Sequence, residues 1–272
     1  MRRPRASRML EPVRGRPRPG LGRRAVALAG LAVIAGGCAA ASPGTARASP
    51  ARSGTASPSA PAAPVLDGCF TAARGAVETV PDAGGGRLTL GIVGTGPRVV
   101  ILSEQSDEDL CSWLPLAARL AAAGYRAVLW DYGGNLPPDE LAVLVRALRG
   151  SGATRIALMG ASEGAKASLI AGAQIRPAVA GVVSLSAEYT LGPSISVAGY
   201  VRHLQCPLLL VTALQDDFAA APAARQYLAL APAAAKSLVT VPGSDHGTAL
   251  LSGRSAATVL PAVLAFLHRV LG

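Results

Sequence analysis

The feature that most restricts the fold of this chain is a five-residue turn, residues 160–164, with the pattern G-x-S-x-G. Residues 155–159 before it are short and apolar, as a buried parallel strand is. Residues 165–173 after it are rich in alanine and predict a helix. A strand that turns directly into a helix holds Ser162 under strain with its hydroxyl exposed, and the flanking glycines allow the close approach. The helix N-terminus behind the serine favours developing negative charge.

The rest of the chain alternates between apolar strand-like runs and helix-like segments. We predict strands at 77–80, 88–93, 99–102, 127–130, 155–159, 179–185, 208–212 and 238–241, and helices at 113–123, 139–148, 165–173, 219–230 and 256–271. This alternation predicts an α/β fold with a mostly parallel eight-stranded sheet and helices on both faces. Hairpin-like connections favour first strands that run antiparallel to the rest. About 22 residues separate 185 from 208, which leaves room for one short helix and no sizeable lid domain.

The high positive charge of the chain belongs to its N-terminal segment. Nine of the 26 Lys and Arg residues lie within residues 1–37, and the remainder carries 17 basic and 15 acidic residues. The folded part is therefore nearly neutral, and a nucleic-acid partner is not expected.

Residues 1–37 have the layout of an export signal. A basic region precedes an apolar run at 25–37, which is shorter than the roughly 20 residues that span a bilayer. The run ends in small residues before Cys38 and resembles the lipobox of bacterial lipoproteins. We expect a lipidated Cys38 that anchors the protein to the outer face of the cell membrane, or a secreted protein if the signal is a plain one. Arg23 and Arg24 leave the twin-arginine route open beside the general one.

Two further segments complete the predicted organisation. After Cys38, residues 39–64 consist of Ala, Ser, Pro, Gly and Thr with scattered Arg, so the segment 38–64 is predicted to be a disordered tether. Residues 65–272 are long enough for one sizeable core, and we expect a single domain that is a monomer.

Three cysteines lie in the folded part. Cys69 and Cys111 occupy polar, loop-like stretches, whereas Cys206 precedes an apolar strand. In an oxidising compartment we expect a disulfide between Cys69 and Cys111 with Cys206 buried and free, the alternative being unpaired thiols. The spacings do not match a metal site, so neither a metal nor a cofactor is expected.

An acid and a histidine follow the later strands. Asp216 and Asp217 come after the strand at 208–212, and His246 comes after the strand at 238–241. Because ligands bind at the carboxyl ends of the strands in open α/β sheets, these residues are expected at the same edge as Ser162. An activated serine needs a base and a group that orients the base, and the order here is serine, acid, histidine. Taken alone, Ser162 would also suit a helix N-cap.

Over residues 77–271 these pieces together resemble the α/β-hydrolase family. The resemblance rests on the turn at 160–164, the strand and acid at 207–216, and Gly-Ser-Asp-His-Gly at 243–247. It implies that Ser162 is the nucleophile, that His246 is the general base and acid, and that Asp216 orients the histidine. Asp217 is the second choice for the acid, because spacing alone does not separate adjacent aspartates.

The oxyanion hole is where the sequence departs from the family pattern. One donor is expected to be the backbone N–H of Glu163. The other is expected from the loop after the strand at 99–102, where the family usually carries His-Gly and this chain has residues 103–109 with four acids. A backbone N–H of Glu104 or Gln105 would serve. The acidic rim predicts a preference for neutral or cationic substrates.

The sequence therefore predicts a serine hydrolase that cleaves a carboxylic ester or related acyl bond of a small substrate. A peptidase or thioesterase differs only in the bond cleaved. The alternative from another class is a binding or scaffold lipoprotein on the same fold, made catalytically weak by its acidic loop. Lys166 is expected to be a surface or salt-bridge residue, and Asp131 a structural one.

Overall fold

The structure is a computed structural model that describes residues 66–272. The predicted signal peptide at 1–37, the lipidation of Cys38 and the tether at 38–64 lie outside the described residues. Within 66–272, no helix combines the length and the apolar character needed to cross a membrane.

Eight strands form one sheet, and two short ones, β7 Thr190–Leu191 and β8 Ile195–Ser196, form a separate hairpin. The strands of the sheet are β1 Ala76–Pro81, β2 Arg87–Val93, β3 Arg98–Ser103, β4 Arg126–Trp130, β5 Arg155–Ala161, β6 Gly181–Leu185, β9 Leu208–Ala213 and β10 Lys236–Val241. Their order across the sheet is β1-β2-β4-β3-β5-β6-β9-β10. Pairing is parallel from β4 through β10, whereas β2 is antiparallel to both β1 and β4. The prediction that the first strands oppose the rest is therefore correct for β2 and wrong for β1, because the direction reverses twice.

Six helices cover the sheet on its two faces. They are α1 Leu114–Ala122, α2 Pro137–Gly150, α3 Glu163–Gln174, α4 Val197–Val201, α5 Ala220–Leu230 and α6 Ala256–Leu271. One core joins the sheet to α2, α3, α4 and α5, and a second core joins the opposite face to α1 and α6. The predicted mostly parallel eight-stranded sheet with helices on both faces is confirmed.

Strand β5 shows why the predicted strands are apolar throughout. Side chains alternate between the faces of a strand. Ile156 and Leu158 belong to the core beneath α3, and Ala157 and Met159 belong to the core beneath α6. Because both faces of this central strand are buried, it has no polar stripe. The same packing fixes the position of β5, and so of the turn at its end.

The segment from 186 to 207 contains a small hairpin and a short helix. The hairpin consists of β7 Thr190–Leu191 and β8 Ile195–Ser196, and α4 follows it directly. The short helix was expected and the hairpin was not. The carboxyl edge of the sheet therefore stays uncovered by a separate domain on this side.

The three cysteines of the described part lie as follows. Cys69 and Cys111 are joined in a disulfide, which ties the segment before β1 to the short 3₁₀ helix Leu110–Trp113. Cys206 is buried and free, and burial raises the pKa of its thiol to about 11.

Candidate active site

Ser162 lies between the end of β5 and the start of α3, at the carboxyl edge of the sheet. Its backbone has φ 46° and ψ −109°, a conformation that costs a non-glycine residue free energy and is found where a site requires it. Its N–H donates to the carbonyl of Leu185 at 2.9 Å, which fixes the turn against β6. The Ser162 side chain does not cap α3, so the simple N-cap interpretation does not describe it.

The two glycines of the turn are there for steric reasons. A Cβ at position 160 would lie 2.1 Å from the carbonyl oxygen of Gly164. A Cβ at position 164 would lie 2.2 Å from the carbonyl oxygen of Ser103, at the end of β3. The G-x-S-x-G spacing therefore lets α3 approach both its own strand and the neighbouring loop closely enough to hold the serine.

His246 and Asp216 form a hydrogen-bonded pair. The Nδ1 atom of His246 lies 2.8 Å from Oδ2 of Asp216, whose side chain is fully buried. The other carboxylate oxygen of Asp216 accepts from the N–H of Phe218 at 2.9 Å. Asp217 is exposed. Of the two adjacent aspartates, the geometry selects Asp216 as the partner of the histidine.

Hydrogen bonds between neighbouring loops hold this pair in place. The N–H of Gln215 donates to the carbonyl of Gly243, and the N–H of Gly243 donates to Oε1 of Gln215. Beyond the histidine, the N–H of Thr248 donates to Oε1 of Gln105 at 3.0 Å. The loops after β3, β9 and β10 are thus connected to one another around His246.

Glu188 lies between the serine and the histidine, a position that the sequence did not indicate. The hydroxyl of Ser162 donates to Oε1 of Glu188 at 2.8 Å, and Nε2 of His246 lies 3.4 Å from the same oxygen. Of the expected triad, the structure therefore pairs Asp216 with His246, and it gives the serine hydroxyl a carboxylate as partner.

Lys166 supplies the counter-charge to Glu188. Its Nζ lies 2.6 Å from Oε2 of Glu188, and the lysine is buried. The expectation of a surface or salt-bridge residue is correct for the salt bridge and wrong for the surface, because nearly all of α3 is buried. The only signal for Glu188 was its place three residues after β6, at the edge where Ser162 also lies.

Carboxylates of the acidic loop at 103–109 have hydrogen-bond partners other than Ser162. Glu108 accepts from the Thr248 hydroxyl at 2.6 Å, and Asp107 accepts from the side-chain amide of Gln105 at 2.9 Å. The carbonyl of Glu104 accepts from the N–H of Gly164 at 3.0 Å, so the loop is fastened to the first turn of α3.

The candidate oxyanion donors are backbone N–H groups on this loop and at the start of α3. The N–H of Glu163 is at the first position of α3 and has no acceptor within the helix. The N–H groups of Glu163, Glu104 and Gln105 stay predictions as donors to an oxyanion.

Two carboxyl groups beside this loop are shifted toward their neutral forms. Burial, with repulsion from Asp131, raises the pKa of Glu104 to about 8. Burial and a hydrogen bond with Asp67 raise the pKa of Asp131 to about 7. One carboxyl oxygen of Glu104 is buried without a hydrogen-bond partner. Within 66–272, the His, Cys, Asp and Glu side chains form no group of three or more that could hold a metal.

Comparison with known proteins relates the architecture to solved structures. No protein-family model and no curated protein matches the sequence. An esterase of Pyrococcus furiosus is similar with 15% identity and a TM-score of 0.57, over 72% of this chain and 91% of that one. A dienelactone hydrolase of Anabaena variabilis has 17% identity and a TM-score of 0.59, over 73% and 100%. An esterase domain of a Rhodothermus marinus protein has 20% identity and a TM-score of 0.60, over 72% and 99%. With the strand order and the serine turn described above, these similarities establish that the chain has the α/β-hydrolase fold.

Proposed function

We propose that this protein is a serine hydrolase that cleaves carboxylic esters through Ser162, His246 and Asp216. The observation that carries the proposal is the buried Asp216–His246 pair, 2.8 Å apart, at the edge where Ser162 is held in its strained turn. An ordinary loop histidine does not need a buried carboxylate on Nδ1, whereas a general base does. The names of the similar structures, which are esterases and a dienelactone hydrolase, support the same reaction class.

The proposed reaction has two halves. Nε2 of His246 takes the proton of Ser162 as Oγ bonds to the acyl carbon, and backbone N–H groups of Glu163 and of Glu104 or Gln105 stabilise the oxyanion. When the tetrahedral intermediate collapses, His246 gives its proton to the departing alcohol and an acyl-enzyme remains. Water then attacks the acyl carbon as His246 takes its proton; when this second intermediate collapses, His246 returns the proton to Oγ, so the carboxylic acid is released and the free serine is restored.

The surroundings of the site favour a neutral substrate with an apolar acyl group. The large exposed apolar residues Tyr189, Leu214 and Phe218 lie on loops after β6 and β9, and the Phe218 ring is centred 4.5 Å from the His246 ring. Several carboxylates near the site, including Glu163 and Glu188, disfavour anionic substrates. Since the segment at 186–207 adds no separate domain over this edge, we propose small or soluble esters.

The cellular setting of the proposed enzyme follows from the N-terminal segment. We propose export and attachment to the outer face of the cell membrane through lipidated Cys38, with residues 38–64 as the tether, and secretion if Cys38 is not lipidated. We further propose a monomer with no nucleic-acid partner.

A second candidate is a binding or scaffold protein on the same fold. The observation that favours it is the hydrogen bond from Ser162 to Glu188, which leaves the serine without its expected base. A peptidase or thioesterase would use the same residues on a different acyl bond.

The test is covalent labelling of the full-length protein with an uncharged alkyl fluorophosphonate. The proposal predicts stoichiometric labelling that is lost in Ser162→Ala and reduced at least about a hundredfold in His246→Ala. Labelling at another residue, or equal labelling of the His246→Ala variant, would contradict the triad and leave the binding protein as the better description.

A further inference from the structure

Glu188 uses its carboxylate to connect three groups of the active site. Oxygen Oε1 accepts the hydroxyl of Ser162 at 2.8 Å and lies 3.4 Å from Nε2 of His246. Oxygen Oε2 lies 2.6 Å from Nζ of Lys166. One oxygen thus contacts both atoms between which the proton must pass in the proposed reaction.

We propose that Glu188 is a latch that holds Ser162 in a resting state and that a bound substrate must displace. The inference rests on the proposed function, since it concerns the same serine and the same histidine. While the hydroxyl donates to the carboxylate, its proton points at Glu188 and is not available to Nε2 of His246. Transfer to the histidine requires this hydrogen bond to break, so that the hydroxyl can donate to Nε2 instead.

The backbone of Glu188 is fixed, so the latch opens by rotation of the side chain. Its carbonyl accepts a hydrogen bond from the hydroxyl of Tyr227, a fully buried residue of α5. Two residues earlier, the N–H of Ser186 donates to the carbonyl of Val211 on β9 at 2.9 Å. Lys166 contacts Oε2, the carboxylate oxygen that does not accept from Ser162, so the ion pair does not depend on the hydrogen bond to the serine.

A different role for Glu188, as the base that deprotonates Ser162, makes the opposite prediction. A base must also return its proton to the leaving group, and His246 is already oriented for that by Asp216 on its Nδ1. If Glu188 were the base, removing its charge would slow the reaction. If it is a latch, removing its charge raises kcat/KM and the rate constant of labelling, because more of the free enzyme is competent.

The latch has a defined kinetic signature. When only a fraction of the protein is competent to bind, the apparent dissociation constant increases by the inverse of that fraction. Releasing the latch therefore lowers KM and leaves kcat unchanged, because the latch is already open in the substrate complex. A hydrogen bond to a charged group is strong enough for an effect of roughly tenfold.

The experiment compares full-length wild type with Glu188→Gln and with the double variant Glu188→Leu/Lys166→Met, which removes both charges of the ion pair. Two quantities are measured: the rate constant of labelling by an uncharged alkyl fluorophosphonate, and KM and kcat for p-nitrophenyl acetate. In labelling, Oγ bonds to phosphorus as fluoride leaves and His246 takes the proton. Glu78→Gln removes an exposed carboxylate from the edge strand β1, outside the site, and serves as the control for charge.

We expect the double variant to label roughly tenfold faster, with KM lower by a similar factor and kcat unchanged, and Glu188→Gln to show a smaller change in the same direction. The gain should disappear when His246→Ala is added. If wild type is labelled and neither variant has a higher rate constant of labelling, the latch is overturned and the proposed hydrolase is not. Folded variants that do not label at all would overturn both, since the latch predicts a freed serine. Thermal melting establishes whether each variant is folded. If the double variant does not fold, the comparison rests on Glu188→Gln, which preserves the shape of the side chain.

Discussion

Asp216 and Asp217 are neighbours in the sequence, and only Asp216 faces His246. Its Oδ2 atom lies 2.8 Å from Nδ1 of the histidine and its side chain is fully buried, whereas Asp217 is exposed. The hydrogen bond from the N–H of Phe218 holds the other oxygen of Asp216. Turn geometry therefore separates two residues that spacing along the chain leaves equivalent.

This difference predicts unequal effects of two matched substitutions. Asp216→Asn keeps the shape of the side chain but removes the charge that stabilises the imidazolium, so we expect esterase activity to fall by roughly 10²–10⁴-fold. Asp217→Asn should change activity less than about twofold, because an exposed carboxylate is screened by solvent. The check is kcat/KM for p-nitrophenyl acetate in both variants. Similar losses of kcat/KM in the two variants would contradict the assignment of Asp216 as the acid.

The close contact of α3 with the β3 loop predicts that Gly164→Ala is harmful. The added Cβ would meet the carbonyl oxygens of Ser103 and Glu104, at 2.2 and 2.5 Å, so helix or loop must shift. We expect a loss of about 1–3 kcal/mol of unfolding free energy together with a loss of fluorophosphonate labelling.

The matched control for this prediction is Gly150→Ala at the end of α2, where a Cβ would meet nothing within 4 Å. This substitution should leave labelling unchanged and should not destabilise the protein. Urea unfolding and labelling of both variants provide the test. An unimpaired Gly164→Ala variant would mean that the loop and the helix do not need their close approach.

Much of the fold could be predicted because it depends on local pattern. The alternation of apolar runs and helical segments indicates the parallel sheet, and the G-x-S-x-G turn locates the serine between β5 and α3. The Asp216–His246 pair could be predicted because both residues lie on the loops that follow neighbouring strands, β9 and β10. These features need only the period of the sequence and the rule that ligands bind at the carboxyl edge of the sheet.

The remaining features depend on contacts distant in sequence. Glu188 reaches Ser162 through a long side chain from a loop without a motif, and no spacing rule indicates such a contact. The burial of Lys166 follows from the covering of α3 by the sheet and by α2 and α4, although its alanine-rich sequence without a polar stripe was a sign of it. The direction of β1 depended on the pairing of β2 with β4, which a hairpin alone does not specify.

The buried carboxyl of Glu104 predicts a loss of stability with rising pH. Its pKa is about 8 in the folded protein against an ordinary value of 4.5, so between these values the folded state binds more protons than the unfolded state. The unfolding free energy contributed by this group is therefore fully present below about pH 4.5 and is lost as the pH rises through about 8. Glu104→Gln, which is neutral at every pH, should flatten this decline.

The measurement is the melting temperature of wild type and Glu104→Gln from pH 5 to pH 9. For a domain of this size, each kcal/mol corresponds to about 2–4 °C. Glu78→Gln on β1 changes an exposed carboxylate and should follow the wild-type curve. The same slope in the Glu104→Gln variant would show that this carboxyl is not held neutral.

The ion pair of Lys166 and Glu188 predicts a strong coupling in stability. Lys166→Met leaves the Glu188 carboxylate without its counter-charge in a largely buried site, which should cost at least about 2 kcal/mol of unfolding free energy. Combining it with Glu188→Gln removes the stranded charge, so the double variant should be more stable than Lys166→Met alone. Urea unfolding of wild type, the two single variants and the double variant gives the coupling energy. The exposed Arg146 on α2 provides the control, because Arg146→Met should not change the effect of Glu188→Gln. Additive effects of Lys166→Met and Glu188→Gln would mean that the two charges do not depend on each other, and that Lys166 does not hold the Glu188 carboxylate beside the serine.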